Sequence, residues 1–228
     1  MAQEILIIGE SGTGKTTSFR TLNPEETFII NVAKKPLPFK GWKSKYTAIT
    51  KENPTGNYFA SDQASAIVRT MKHVNDNMPH IKNLIVDDFQ YLMANEYMRR
   101  ANERGFDKFT DIGKQAWEVA HSGKSLRDDV TFIMVGHAEE TTDLKGNRKL
   151  KFKTIGKLVD NVITMEGLFT VVLYTDVNVN GQHEVEYRFQ TNQIDGGNTC
   201  KSPLGMFDAH YIPNDMGSVI ETVSEYYK

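Results

Sequence analysis

Residues 4–20 read Glu-Ile-Leu-Ile-Ile-Gly-Glu-Ser-Gly-Thr-Gly-Lys-Thr-Thr-Ser-Phe-Arg. The apolar, mostly β-branched run Ile5 to Ile8 has the pattern of a buried strand. Gly9 then opens the spacing G-x-x-x-x-G-K-[ST], completed by Gly14, Lys15 and Thr16. Glycines let backbone N–H groups turn inward onto phosphate oxygens, because no Cβ blocks the approach. A helix starting near Gly14 is expected to aim its positive end at the same phosphates. Lys15 supplies a mobile point charge for the β- and γ-phosphates, and Thr16 a hydroxyl for Mg²⁺, a hard cation that prefers oxygen. Gly9, Glu10, Ser11, Gly12, Thr13, Gly14, Lys15, Thr16 and Thr17 are the candidate phosphate cradle. The competing explanation is a Gly-rich turn beside a solvated lysine. The strand before the loop and the absence of helix breakers just after it favour the cradle.

A chain of 228 residues is expected to form one domain, with a core over about residues 1–160 and an extension over about 161–228. It has 39% hydrophobic and 25% charged residues, ordinary for a soluble globular chain. The formal net charge of −2 excludes a global basic field, so any nucleic-acid site must be a local patch. The single cysteine, Cys200, excludes an internal disulfide and fits a reducing compartment. No secretory leader and no apolar run of about 20 residues is visible, so a cytoplasmic protein without membrane contact is expected.

Along the chain, residues 15–22 read as the first helix, ended by Asn23-Pro24, and residues 27–32 as the second strand. Residues 33–60 hold three prolines and read as irregular. Within them, residues 34–51 carry six lysines and no acid, a solvated loop or part of a basic surface. Residues 61–77 form a helix with Ser61 as its cap and Ala64, Ile67, Val68, Met71 and Val74 as its apolar stripe. Helices are also expected over 89–104, 111–127 and 215–227, and strands over 130–135, 161–165, 168–176 and 184–191. Asn180-Gly181 marks a hairpin turn between the last two strands.

Residues 83–88 read Asn-Leu-Ile-Val-Asp-Asp, the form of a buried strand whose end presents a carboxylate to Mg²⁺. Behind a phosphate loop this assigns Asp87 to the metal. Asp88 is the candidate to position or polarise an attacking water; its alternative is the N-cap of the following helix. His137 stands at the tip of the 130–135 strand, where a polar side chain can sense the γ-phosphate; its alternative is a structural histidine. Residues 143–157 carry six Lys or Arg against one Asp, and the arm 148–153 alternates basic residues with Leu150 and Phe152. Lys145, Arg148, Lys149, Lys151 and Lys153 are therefore candidates for phosphate contacts, with base stacking between them. The alternative is an exposed hairpin whose lysines guard a sheet edge.

A complete strand–helix unit lies between the loop strand and the metal strand, and hairpins follow the 130–135 strand. Both suit an α/β fold of the RecA-like P-loop NTPase kind, with a mostly parallel sheet and an antiparallel hairpin extension. The guanine-specificity pattern N-K-x-D is absent. Across almost its full length the chain resembles the small phage-encoded RecA-like ATPases associated with single-strand annealing. The resemblance rests on Gly9-Glu-Ser-Gly-Thr-Gly-Lys-Thr16, Lys35-Pro-Leu-Pro-Phe39, Ile85-Val-Asp-Asp88, Val135-Gly-His-Ala-Glu-Glu140, Lys201-Ser-Pro203 and Tyr211-Ile-Pro-Asn-Asp215.

That resemblance implies a minimal RecA core with ATP and Mg²⁺ as ligands. It implies ATP-dependent binding of single-stranded DNA in phage recombination or replication, beside a single-strand DNA-binding protein. Lys15, Thr16 and Asp87 match its nucleotide and metal positions. The 148–153 arm falls where RecA-like proteins place a DNA-binding loop. Lys201 falls where they offer a cation to a neighbouring subunit's γ-phosphate, which would tie hydrolysis to self-assembly; its alternative is a solvated loop lysine. One departure stands out. RecA-like enzymes usually carry a water-activating glutamate after the second strand, but here Asn31-Val-Ala-Lys34 follows, with no acid until Glu52. Either Asp88 takes that role or hydrolysis is slow and ATP acts mainly as a switch. The competing functions are an AAA+-like loader or remodeller of a protein partner, which is expected to carry a helical lid after the 130–135 strand, and a non-enzymatic module ordered by bound nucleotide.

Overall fold

The computed structural model describes residues 2–142, 146–155, 164–179, 181, 183–194 and 196–228. Its strands are β1 (Gln3–Gly9), β2 (Thr27–Asn31), β3 (Tyr58–Ala60), β4 (Asn83–Asp87), β5 (Thr131–Thr142), β6 (Arg148–Phe152), β7 (Val171–Val179), β8 (Val185–Gln190) and β9 (Tyr211–Pro213). Its helices are α1 (Trp42–Lys45), α2 (Ala64–Asn77), α3 (Gln90–Arg99), α4 (Asp107–Ser122) and α5 (Met216–Tyr226). The sheet order is β3-β2-β4-β5-β1-β7-β8-β9, with β6 paired to β5 outside that path. From β3 to β7 every neighbour is parallel, whereas β8, β9 and β6 add antiparallel pairs. This is the expected mostly parallel sheet with an antiparallel extension. One detail differs: β7 is not merely half of a hairpin, because it also joins the parallel core beside β1.

Central strands are apolar without interruption because both of their faces are covered. Leu6 and Ile8 point into the core beneath α2, α3 and α4. Ile5 and Ile7 point the other way, toward Phe19, Leu22, Phe189 and the Val219–Val223 face of α5. The helix stripes behave as their periodicity predicts: Ala64, Ile67, Met71 and Val74 are buried on α2, as are Ile112, Ala116, Val119 and Ala120 on α4.

Several boundaries differ, each for a local reason. The segment after the loop is a 3-10 helix, Thr16–Thr21, not an α-helix. Ser18 Oγ donates to the Lys15 carbonyl at 2.6 Å and Thr21 Oγ1 to the Ser18 carbonyl at 3.2 Å. Hydroxyls thus compete for carbonyls that α-helical N–H groups would use, and β-branched Thr16 and Thr17 add crowding. Ser61 does not cap α2: its Oγ accepts from the Gln63 N–H two residues on, and the helix starts later. α3 ends at Arg99 and α4 begins at Asp107, both earlier than the sequence pattern indicates. β3 and the single turn α1 lie within the 33–60 stretch that reads as irregular, and β9 is a further strand that the sequence pattern does not mark. Met165, expected at the end of a strand, lies in a 3-10 turn, Met165–Leu168; residues 161–163, Asn180 and Asp195 lie outside the described residues.

The largest difference is at β5. It does not stop at Val135 but runs on to Thr142, where β6 pairs with it from Ala138↔Phe152 to Thr142↔Arg148. Gly136 allows this, since a side chain there would collide with the Phe152 ring. Phe152 is fully buried against Phe89, with ring centroids 5.9 Å apart, and Leu150 packs on the same core. Buried Glu166 anchors the strand by accepting the Phe152 N–H at 2.8 Å. The arm's aromatic ring is therefore a core element and does not stack on bases. Phe152→Ala should cost about 3–5 kcal/mol in urea unfolding. A change no larger than that of a surface substitution would remove the ring from the core.

Candidate nucleotide site

The parallel sheet brings the C-terminal tips of β1, β4 and β5 to one edge, with β5 between the other two. Gly9 lies directly opposite His137 in the β1–β5 register, and the Phe89 N–H donates to the Val135 carbonyl at 2.9 Å. The loop after β1 and the acids after β4 are thus held by strand ends rather than by flexible segments.

Within the loop, Gly14 has φ +92°, and a Cβ there would sit 3.0 Å from the Tyr187 ring. Both facts demand glycine. Lys15 is buried, and its Nζ donates to the Gly9 and Glu10 carbonyls at 3.0 and 2.6 Å. An ammonium has three donors, so one remains for a phosphate oxygen. Burial is the largest influence on this group and lowers its pKa to about 8, although Asp88 and Asp87 pull the other way. Thr13 Oγ1 lies 2.5 Å from Thr175 Oγ1, which ties the loop to β7.

Thr16 Oγ1 donates to both Asp87 oxygens, at 3.1 and 3.0 Å. Two hard oxygen groups from opposite sides of β5 therefore meet, as a Mg²⁺ site shared with nucleotide phosphates requires. Among the described residues no group of three or more His, Cys, Asp or Glu could hold a metal ion.

Asp87 and Asp88 differ sharply although adjacent. Burial, then the neighbouring Asp88 charge, raises the Asp87 pKa. Asp88 is also buried, which alone would raise it, but His137 and Lys35 outweigh burial and hold it ionised, below the usual range. His137 Nε2 lies 3.5 Å and Lys35 Nζ 2.5 Å from the Asp88 carboxylate. The Lys35 ammonium thus meets Asp88 Oδ2, and His137 meets Oδ1. Asp88 has φ +57° and makes no side-chain cap to α3, which removes the N-cap alternative.

Lys35 is the residue that sequence reasoning missed as part of the site. The backbone reverses at Lys34, φ +57°, whose Nζ pairs with Asp62 at 2.7 Å. Asn31 Nδ2 then donates to the Lys35 carbonyl at 2.6 Å. The available signal was Lys35 between β2 and two prolines, but nothing local indicates an ion pair with Asp88. A cleft of about 370 Å³ joins Ser11, Gly12, Gly14, Lys15, Thr16 and Thr17 with Lys35, Asp88, His137 and Tyr187.

Other predicted residues lie elsewhere. Lys201 pairs through its backbone with Val172, its N–H donating at 3.0 Å. Val172 lies three residues before Thr175 along β7, so exposed Lys201 begins about 10 Å from the loop edge of its own chain. In the arm, Arg148 pairs with Glu140 at 2.8 Å and reaches Glu10 of the loop at 3.9 Å, and Lys151 pairs with Glu139 at 3.1 Å. Acids on β5 thus offset part of the basic patch. Lys149 and Lys153 have no ion pair among the described residues, and Lys145 lies outside them. No helix among the described residues is long and apolar enough to cross a membrane.

A family model described as an AAA domain matches residues 1–200, and the chain belongs to that family of P-loop ATPases. Among the described residues no helical lid follows β5; strands and one 3-10 turn, Met165–Leu168, lead to α5. No curated protein matches the chain.

The Lys15 cation is present below about pH 8 and lost above it. Mg–ATP affinity should therefore fall as pH rises above that value, by at most about tenfold per pH unit. Titration calorimetry checks this; an affinity unchanged between about pH 7 and pH 9.5 would contradict it.

Proposed function

We propose that this AAA-domain chain binds Mg–ATP in the cleft and hydrolyses it slowly, with Asp88 orienting the attacking water. The observation that carries this is the Thr16–Asp87 contact beside an ionised Asp88. The loop N–H groups and Lys15 would hold the phosphates. Thr16 and Asp87 would hold Mg²⁺, which would supply charge neutralisation at the phosphates when bound.

Water attacks the γ-phosphorus as the bond to the bridging oxygen breaks, and the water's proton passes to Asp88 or directly to phosphate. A carboxylate stabilised by His137 and Lys35 is a weak base. Phosphoryl transfer passes through a loose transition state, so positioning matters more than early proton removal. His137, opposite Gly9 and lining the cleft, is placed to register the γ-phosphate. Asp88→Asn should lower kcat by about 100-fold with little change in ATP affinity. Hydrolysis at the original rate would contradict the assignment.

The finer reading is that hydrolysis is coupled to single-stranded DNA, on an oligomer completed in trans by Lys201, as the motif resemblance suggests. A phage role in recombination or replication, beside a single-strand DNA-binding protein, belongs to the same reading. Its support is Lys149 and Lys153 on an arm whose Arg148 leans toward Glu10 of the loop. Contacts would be to phosphate rather than by base stacking.

Removing both lysines should weaken DNA binding and flatten its salt slope by about 1.4, from about 0.7 per phosphate contact. ATPase measured with and without single-stranded DNA, paired with sizing in ATP, tests the coupling. A second reading, action on a protein partner, is favoured by the family match and by Glu139 and Glu140 offsetting the arm. Turnover and assembly indifferent to DNA would support it against the first.

A further inference from the structure

The phosphate site has a direction. Lys15, Thr16, Asp87, Asp88 and His137 mark the γ-phosphate end, on the β4 and β5 side of the loop. The ester end of a nucleotide must leave on the other side, across β1 toward β7 and β8. There the cleft wall is Tyr187 of β8. Its ring lies against Gly14, yet the residue remains 45% exposed. Val177 of β7 pairs directly opposite it and is also exposed.

Val179 and Val185 continue the same face, whereas its inner end, Phe189, is buried in the core. A second observation falls at the same place. Asn214 is 97% buried by its 3% exposure, its amide lies 3.3 Å from the Gly14 Cβ position, and its Nδ2 has no hydrogen-bond partner. Its N–H donates to the Tyr187 carbonyl at 3.2 Å. Asn214 thus backs the wall of the cleft behind Gly14 and fixes the backbone of Tyr187.

The geometry points to Tyr187, with Val177 beside it, as the platform on which the base of the bound nucleotide stacks. This rests on the nucleotide reading above and adds the base subsite to it. A tyrosine ring reads the flat face of a base rather than its hydrogen-bonding edges. The ligand class is therefore a purine nucleoside triphosphate, held more tightly than a pyrimidine one by its larger stacking surface.

Titration calorimetry with Mg–ATP, Mg–UTP and inorganic tripolyphosphate separates the base from the phosphates. Tyr187→Ala should weaken ATP by about tenfold or more, the scale of base–aromatic stacking. It should leave tripolyphosphate affinity unchanged, and Tyr187→Phe should retain ATP affinity. In the original chain ATP should bind more tightly than UTP. Unchanged ATP affinity in Tyr187→Ala would overturn the platform. Equal losses for ATP and tripolyphosphate would also overturn it, by making Tyr187 a support for Gly14. An original chain that binds tripolyphosphate but shows no preference for ATP over it keeps the phosphate site and overturns the platform alone. Binding of neither ligand would overturn the nucleotide reading, and the platform with it.

Discussion

Thr16 Oγ1 donates to both oxygens of Asp87, and the site depends on that meeting. The two residues are 71 positions apart: Asp87 ends β4, and Thr16 opens the helix that follows the β1 loop, and those two strands are not neighbours. Only a parallel sheet with β5 between β1 and β4 brings both tips to the same edge at that spacing. The three-layer packing, with uninterrupted apolar strands inside, holds the order in place. Mg²⁺ chemistry then needs only two protein oxygens, with the rest coming from phosphate and water.

Two adjacent carboxylates acquire opposite characters from their surroundings. Asp87 is buried and faces Asp88, so a cation is needed to keep its charge at low cost. Asp88 turns through a left-handed backbone into contact with Lys35 and His137, which stabilise its charge. Asp87 is thus a group that would gain from a divalent ion, and its neighbour is a carboxylate fixed in place. Lys35, four residues beyond the end of β2, brings a cation to Asp88. A cation there strengthens the hold on Asp88 and weakens it as a base.

Local chemistry was legible in the sequence, and long-range geometry was not. Ile5 to Thr16 announced strand and loop because every requirement lies within twelve consecutive residues. Asp87 followed from a buried strand ending in acid. Lys35 escaped because its partner Asp88 lies on a distant strand end and the reversal at Lys34 that aims it is held by Asp62, 28 positions on. Phe152 looked like a base-stacking residue in a charged arm. It is core because Gly136 leaves room for its ring, a fact that appears only once β5 and β6 pair. Tyr187 read simply as a strand residue, since its contact with Gly14 spans 173 positions.

The central claim is that this metal site exists only when nucleotide completes it. Electron paramagnetic resonance of Mn²⁺, an oxygen-preferring stand-in for Mg²⁺, tests this most directly. The account predicts tight Mn²⁺ binding with ATP present, weak binding without it, and loss of the tight site in Asp87→Asn. Tight Mn²⁺ binding without nucleotide, or a tight site that survives Asp87→Asn, would contradict it.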